Sequence, residues 1–281
     1  MKKHQTKNFG DVDYWLAEWL KSSRRASPNT HEAYIRDVGR FLATASKPFD
    51  QVAVTNILEY QSSLSEFAPK TAARKLASVR SFYRFLNNRE VTNLNLARIE
   101  SPKIQQTVDH DKLLTEKEVA ALVAAATNDQ HRLFVRFLYL TAVRVSEALA
   151  LRWRDITPLG CGSAEAHIIG KGNKRRDVFL PSELFLSIGL FASGGGDELV
   201  FSFIKNRLHA LRIVQGMAKA AKIDKSVTPH SLRHAHISHA LKNGATIAEL
   251  RDQAGHANVS TTSLYAHSDN TRATATRLKV Q

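Results

Sequence analysis

Apolar residues in the first hundred positions recur at the spacing of amphipathic helices, with short turns between them. The pattern predicts a helix over 12–20, a second that opens at Pro28, a third for which Thr55 is a candidate cap, and a fourth over 69–87. In the fourth helix the aromatic side chains are expected to be core. Its basic side chains are expected to form an exposed face: Lys70, Arg74, Lys75, Arg80 and Arg84.

The pattern changes after residue 100. Residues 101–112 contain a proline and lack apolar periodicity, which is typical of a linker. Thr115 and Glu118 then form a capping box ahead of the apolar run 119–126, which indicates a new helix and a new domain. Further helices are predicted over 133–140, from about Val145, and over 205–221, 230–243, 247–253 and 260–266.

Two short runs typical of strands, 167–169 and 178–180, interrupt these helices. Between them lies a turn dense in cations, Gly170-Lys-Gly-Asn-Lys-Arg-Arg. The expected fold is therefore mainly α, with a small β-sheet in the second domain. We expect an N-terminal helical domain over 1–100, a linker over 101–112, and an α+β domain over 113–281 that includes a C-terminal tail.

Charge points to an anionic partner. Lys and Arg number 40 against 26 Asp and Glu, a formal net charge of +14 with a pI near 10.0. Residues 1–100 carry 16 Lys and Arg against 10 acids, and residues 101–281 carry 24 against 16. Two basic halves suggest a clamp that contacts backbone phosphates from both sides, although solvated helix faces account for about half of these side chains.

Neither a disulfide framework nor a membrane segment is indicated. Cys161 is the single cysteine, which excludes an intramolecular disulfide and fits a reducing compartment. Met1 is followed by a polar segment, and no run approaches about 18 apolar residues. We expect a soluble, cytoplasmic protein without membrane contact.

His230 and Arg233 stand about one helical turn apart, so both can face one point. A guanidinium offers a planar fork to two phosphate oxygens, and an imidazole can carry a proton near neutral pH. The neighbouring His234, His236 and His239 raise an alternative, a histidine-rich metal site. Against that alternative, no glutamate lies between His230 and His234, and no carboxylate cluster accompanies them.

Two further cations carry candidate chemistry in the second domain. Arg144 follows an apolar helix, and burying it would require an anion or Glu147 as partner, so a structural ion pair with Glu147 is the alternative. Lys171 lies in the predicted turn, where its flexible stem can reach inward. The alternative there is a solvated lysine, and three neighbouring cations compete for any role: Lys174, Arg175 and Arg176.

Gly255-His256 follows a short predicted helix, and Tyr265 comes nine residues later. A tyrosine at helical spacing is more often a packed aromatic than a nucleophile. Metal-free attack on a phosphodiester, however, requires positive charge to meet the phosphate oxygens and a group to take the phosphoryl. The ordered set therefore indicates a DNA strand-transfer site: Arg144, Lys171, His230, Arg233, His256 and Tyr265.

With these six positions in this order, the chain resembles the tyrosine recombinases, also called the phage-integrase family, and Xer-type bacterial members in particular. The resemblance covers nearly the whole chain and rests on Thr-Ala-Val-Arg-Val-Ser-Glu, Gly-Lys-Gly-Asn-Lys, His-Ser-Leu-Arg-His, Gly-His and the late tyrosine. It implies a SAM-like core-binding domain before the catalytic domain. It also implies that Tyr265 is the nucleophile and that five residues activate the phosphate: Arg144, Lys171, His230, Arg233 and His256.

The resemblance implies a reaction without ATP, metal or other cofactor. Tyr265 would attack duplex DNA, leaving a 3′-phosphotyrosyl link and a 5′-hydroxyl, with His230 as base and Lys171 as acid. A homotetramer on two DNA sites would pass through a Holliday junction, with the free protein a monomer or weak oligomer at the nucleoid. The DNA-binding candidates are Lys70, Arg74, Lys75, Arg80, Arg84, Lys174, Arg175 and Arg176.

Two positions depart from the family pattern. Ala142-Val143 stands where Gly followed by Leu or Met is common, and Ala254 stands where Leu is common. Since Ala restricts the backbone relative to Gly, the placement of Arg144 depends on the first replacement.

Three other functions stay open on the sequence: a catalytically silent DNA-binding regulator of the same fold, a type IB topoisomerase-like enzyme, and a metallohydrolase built on the histidines. The sequence does not indicate the target site, or whether the task is integration, excision, inversion or dimer resolution.

Overall fold

The structure is a computed structural model that describes residues 11–22, 28–100, 110–170, 174–192 and 195–255. The chain divides into two compact units, Met1–Gln105 and Gln106–Gln281. Helices predominate, and the described residues form one small antiparallel sheet in the second unit. The predicted fold class is therefore confirmed.

The first unit contains four described helices: α1 Val12–Ser22, α2 Pro28–Ala45, α3 Val54–Ser63 and α4 Pro69–Asn88. The bounds of α1 and α4 and the start of α2 lie close to the predicted positions. Pro69 occupies the first turn of α4, where its missing N–H costs no helical hydrogen bond. Thr55 is not the cap of α3. The cap is Ala53, whose backbone N–H donates to Asn56 Oδ1 at 3.0 Å.

Aromatic side chains dominate the core of the first unit. Trp19 stacks on Tyr34 with ring centroids 5.7 Å apart and meets Phe82 edge-on at 5.3 Å. The Tyr83 hydroxyl donates to the Phe49 carbonyl at 3.0 Å, so this fully buried ring has a partner for its polar end. The prediction that the aromatic residues of α4 are core is confirmed.

The basic side chains of α4 do not share one exposed face. Lys75 is only 4% exposed, because it follows Ala72 and precedes Val79 on the buried stripe of the helix, and its ammonium lies 4.7 Å from the Phe67 ring centroid. Arg74 pairs with the buried carboxylate of Asp37. The expected basic face is thus wrong for Lys75, whereas Lys70 and Arg84 are exposed and Arg80 is partly buried.

The second unit contains seven described helices: α5 Glu116–Ala124, α6 Asp129–Thr141, α7 Val145–Ala150, α8 Ser182–Gly189, α9 Arg207–Ala220, α10 Pro229–Lys242 and α11 Ile247–Ala254. The capping box of α5 is confirmed, since Glu118 Oε2 accepts from the Thr115 backbone N–H at 2.7 Å and Thr115 Oγ1 accepts from the Glu118 N–H at 3.2 Å. The predicted helix 260–266 lies outside the described residues.

The sheet has three antiparallel strands in sequence order, β1 Ile156–Pro158, β2 Ala164–Ile169 and β3 Arg175–Leu180. The two predicted strands correspond to parts of β2 and β3. Strand β1 and helix α8 were not predicted. Three residues are too few to show alternation, and the exposed Leu186 interrupts the apolar pattern of α8.

The sheet and the helices of the second unit share one core. Ala166, Ile168 and Val178 face inward from the sheet, and Phe134 and Phe137 face inward from α6. This packing fixes the end of α6, where the candidate site begins. Among the described residues, no helix combines the length and the apolar character needed to cross a membrane.

Candidate active site

The junction between α6 and α7 carries the first site residue. Ala142 ends α6 in the left-handed region, with φ 54° and ψ 19°, and is fully buried. A non-glycine residue costs roughly 1–2 kcal/mol there. Ala142 replaces the glycine of the family pattern, and the chain nevertheless makes the reversal that places Arg144 at the start of α7.

Arg144 is anchored to Glu147, its neighbour one turn along α7. Glu147 Oε1 accepts from the Arg144 guanidinium at 2.8 Å, and Glu147 Oε2 accepts from the Arg144 backbone N–H at 2.8 Å. The guanidinium also lies 3.4 Å from the Gly255 carbonyl. The side chain is 35% exposed, so it is held in place and still open to a ligand.

Glu147 is shared by two arginines and is 7% exposed. Arg176, from β3, donates to its two carboxylate oxygens at 2.6 and 3.2 Å. Burial alone would raise the pKa of Glu147, but the hydrogen bonds from Arg176 and from the Arg144 backbone outweigh it and lower the pKa. Glu147 is therefore ionised at neutral pH. The ion pair considered as an alternative for Arg144 does exist, but its carboxylate also serves a second cation.

Arg233 is 2% exposed and connects two distant segments. Its guanidinium donates to the Ala142 carbonyl and, at 2.6 Å, to the Ala254 carbonyl at the end of α11. Burial and then the charge of Arg144 lower its pKa to about 9, so it remains cationic at neutral pH. The site is thus built where α10, α11 and the α6–α7 junction meet.

His230 lies in the first turn of α10, three residues before Arg233, and remains accessible to solvent. Packing around the imidazole, followed by the charges of Arg233 and Arg144, lowers its pKa below the ordinary 6.5. At neutral pH the ring is therefore neutral and can accept a proton.

The other histidines of α10 have different roles. His236 bonds the Tyr139 backbone carbonyl at 2.8 Å, and His239 bonds the Tyr139 hydroxyl at 2.9 Å. The group of potential metal ligands found within the described ranges lies elsewhere, on the sheet, and comprises Glu165, His167 and Asp177. The α10 histidines are thus not assembled with carboxylates into a metal centre in this part of the chain.

Three predicted site residues, Lys171, His256 and Tyr265, lie outside the described residues. The residues that directly precede two of them are described. The Gly170 backbone N–H donates to the Lys174 backbone carbonyl across the β2–β3 connection at 2.8 Å. Gly255 ends α11 in the left-handed region, with φ 63°. The structure therefore brings Arg144, His230, Arg233 and Gly255 together and leaves the other three as predictions.

The cations around the β2–β3 connection separate into two groups. Lys174 and Arg175 are exposed. The Arg176 side chain is 10% exposed and points inward to the network with Glu147, so its expected role as a DNA contact stays a prediction. Strand alternation was the available signal, because Arg176, Val178 and Leu180 share one face of β3 and the two apolar residues mark that face as inward.

Comparison with known proteins decides the family. Residues 112–272 match the model of the phage integrase family, and residues 13–90 match that of the phage integrase N-terminal SAM-like domain. The chain belongs to the phage integrase family.

Similar proteins carry recombinase names. A tyrosine recombinase of Pseudothermotoga lettingae is 33% identical over 268 residues, covering 90% of this chain and 92% of that protein. Tyrosine recombinase XerD of Oceanobacillus iheyensis is 29% identical over 276 residues, covering 89% and 91%. The crystal structure of XerH site-specific recombinase bound to difH substrate, a pre-cleavage complex, has a TM-score of 0.70 at 17% identity, covering 91% of this chain and 82% of XerH.

The phage integrase family is a class of enzymes that cleave and rejoin DNA. This family member is therefore a tyrosine-type recombinase, and the resemblance inferred from its sequence is confirmed. The likeness to XerH shows the shared fold.

Proposed function

We propose that this protein is a site-specific recombinase that cleaves and rejoins duplex DNA through a covalent phosphotyrosine intermediate. One observation carries the proposal: Arg144, Arg176 and Arg233 converge around Glu147 and leave two positive charges uncompensated among these four groups. Buried or half-buried cations without a counter-charge are costly. A phosphodiester that bridges Arg144 and Arg233 would supply an anion for both and neutralise one of these two charges.

Both arginines keep donors for that phosphate. A guanidinium has five N–H donors. Arg233 uses one on the Ala142 carbonyl and one on the Ala254 carbonyl, and Arg144 uses one on Glu147 and a longer contact to the Gly255 carbonyl. Counted over the described residues alone, these contacts leave three donors on each arginine. Because the protein contacts fix both planes, the nonbridging oxygens would meet preorganised charge.

The remaining groups of the proposed site transfer protons or donate hydrogen bonds during cleavage. Tyr265 attacks the scissile phosphorus, its phenolic proton passes to His230, and the bond to the 5′-oxygen breaks. Lys171 gives that oxygen a proton, and His256 donates a hydrogen bond to the phosphate. A phenol has an ordinary pKa of about 10, so a neutral His230 beside two cations is a suitable base.

Attack by a 5′-hydroxyl from a second duplex reverses these steps and rejoins the strands. The phosphotyrosine bond conserves the energy of the cleaved phosphodiester, so the exchange needs neither ATP nor a metal. Exchange of one strand pair at a time implies a Holliday junction and a tetramer on two DNA sites. Residues 268–281 are proposed to dock on a neighbouring protomer, so their deletion is expected to weaken assembly more than DNA binding.

Covalent trapping tests the proposal. Wild type is incubated, with EDTA present, with nicked duplexes that tile the DNA flanking the gene, and denaturant-resistant adducts are sought. We expect an adduct that maps to Tyr265 with wild type and none with Tyr265→Phe. Tyr14→Phe, which alters an exposed tyrosine in the first unit, is the matched control and should retain the adduct.

Each alternative function has its own outcome. Sequence-selective binding without an adduct across all duplexes would favour the catalytically silent regulator. An adduct accompanied by relaxation of supercoils without site preference would favour the topoisomerase-like enzyme. Cleavage that occurs in a parallel reaction without EDTA and is abolished by EDTA would favour the metallohydrolase.

A further inference from the structure

Every nitrogen of the Arg176 guanidinium has a protein partner. Nε donates to the Gln253 carbonyl at 3.0 Å, and the two terminal nitrogens donate to the Glu147 carboxylate at 3.2 and 2.6 Å. One side chain thus connects β3, the first turn of α7 and the last turn of α11. Since each of its nitrogens has a protein partner, contact with a substrate is not needed to explain its burial.

Two glycines lie against the Arg176 side chain, and each directly precedes a proposed catalytic residue in the sequence. A Cβ at Gly170 would lie 3.3 Å from Arg176 Nη1 and 3.3 Å from Glu147 Oε1. A Cβ at Gly255 would lie 3.0–3.1 Å from Arg176 Cδ, Cζ and Nε. In sequence, Gly170 precedes Lys171 and Gly255 precedes His256.

We propose that Arg176 is a positioning residue that holds Gly170, Gly255 and, through Glu147, Arg144 in one fixed arrangement. It acts on the reaction through these neighbours and not by touching DNA. The inference rests on the proposed function for the roles of Lys171 and His256. The contacts that define the positioning are independent of those roles.

The geometry requires an arginine. A lysine at this position would keep the positive charge, but its ammonium is a single point on a flexible stem. It cannot hold both Glu147 oxygens and the Gln253 carbonyl in the same plane. Arg176→Lys therefore removes the alignment while leaving the charge of the site unchanged.

The test compares Arg176→Lys with Arg154→Lys, which makes the same change at an exposed arginine paired with Asp197. Three quantities are measured: DNA affinity, the single-turnover rate of adduct formation, and amide hydrogen exchange. For Arg176→Lys we expect affinity within about twofold of wild type. The rate should fall about 100-fold, the cost of misplacing catalytic groups by about 1 Å. Amide exchange at Gly255 should accelerate, with no change at Leu138 in α6. Arg154→Lys should match wild type in all three.

Four outcomes would overturn the positioning role. Unchanged exchange at Gly255 would show that Arg176 does not hold the end of α11. Faster exchange with an unchanged rate would make Arg176 a stabilising residue alone. A parallel loss of affinity and rate would make it a DNA contact. An activity loss fully reproduced by Arg154→Lys would show a general effect of the substitution.

The proposed function and the role of Arg176 can fail independently. The proposed function fails if wild type forms no adduct, and amide exchange at Gly255 still tests the role of Arg176 in that case. If Arg176→Lys does not fold, Gly170→Ala provides a second route, because its added methyl presses on the same guanidinium. It should lower the rate while leaving affinity unchanged, and a wild-type rate for a folded Gly170→Ala would overturn the proposal.

Discussion

His230 combines access to solvent with a lowered pKa, and these two properties set the expected pH dependence of cleavage. A base works in its neutral form, so activity is lost as pH falls through the pKa of the imidazole. Packing and the charges of Arg233 and Arg144 place that pKa below 6.5. The second-order rate of adduct formation should therefore stay level from about pH 8 to pH 7 and decline only below about pH 6.5.

The comparison for this prediction is His230→Asn, which keeps a polar side chain and removes the titrating group. Its residual rate should lack the acidic decline in that range. A decline of the same shape in His230→Asn would assign it to another group, and a decline centred above pH 7 in wild type would contradict the lowered pKa.

Glu147 tests how strongly the site depends on one buried carboxylate. Its replacement by Gln leaves two guanidiniums without a counter-charge, and breaking a buried pair in this way costs about 3–5 kcal/mol. We expect Glu147→Gln to lower the free energy of unfolding by that amount at pH 7 in urea titrations. Glu183→Gln, at an exposed carboxylate paired with Arg136, should change it by less than about 1 kcal/mol.

The pH dependence of this difference has a definite sign. The pKa of Glu147 is lowered in the folded state, so its contribution is complete above the ordinary value of 4.5 and is lost as pH falls toward the folded-state pKa. The gap in stability between wild type and Glu147→Gln should narrow below about pH 4.5. A gap that is constant down to pH 3 would contradict the ionised pair.

The turn between α6 and α7 depends on a left-handed residue that carries a side chain. Ala142→Gly removes the strain but also loses a buried methyl and adds chain entropy to the unfolded state, so the net change should be within about 1 kcal/mol. Ala142→Val places a β-branched residue at φ 54° and should lower the free energy of unfolding by about 2–4 kcal/mol. Urea titration measures both.

The control for Ala142→Val is Ala148→Val, at a fully buried position inside α7. It shares the overpacking and lacks the left-handed backbone. Ala142→Val should cost at least about 1 kcal/mol more than the control, which is the contribution of the backbone conformation. Equal losses of unfolding free energy in the two variants would show that the added side-chain volume alone causes the destabilisation.

At the level of helices and strands, prediction succeeded where the signal was local. The capping box at Thr115 and the proline at the start of α4 mark helix ends because they act within one turn. Thr55 is an exception, since a cap is also a local signal: the helix begins one residue before it, at Val54, and Asn56 accepts from the N–H of its cap Ala53. Strand β1 needed its partner β2 to be recognised, and no window of three residues contains that information.

Prediction of the candidate site was likewise limited to what local sequence shows. Arg144, His230 and Arg233 could be selected by residue type and order, yet the network that holds them is formed by contacts far apart in sequence. Arg176 reaches Glu147 across 29 residues and Gln253 across 77. Charge and a position in a cation-rich turn suggested an outward side chain, whereas the buried carboxylate that makes an inward position favourable could be seen only in three dimensions.

The two units of the molecule carry equal charge. Lys and Arg outnumber Asp and Glu by 17 to 10 in residues 1–105 and by 23 to 16 in residues 106–281, a formal +7 in each. Each unit also has its own apolar core. If both contact DNA phosphates, as proposed, each should release its own share of condensed counterions, and the salt dependence of binding should reflect both.

This leads to a measurement on the separated units. The logarithm of the DNA association constant falls linearly with the logarithm of salt concentration, with a slope set by the number of phosphates neutralised. We expect the slope for the full chain, measured by fluorescence anisotropy between about 50 and 200 mM salt, to be about twice the slope for residues 106–281 alone. Residues 1–105 alone should bind weakly with a slope of their own.

A full-chain slope equal to that of residues 106–281 would mean that the first unit contributes no phosphate contacts, and the two-sided clamp would be wrong. A steeper slope for the full chain whose excess disappears in Lys70→Gln/Arg84→Gln would assign those contacts to the exposed cations of α4.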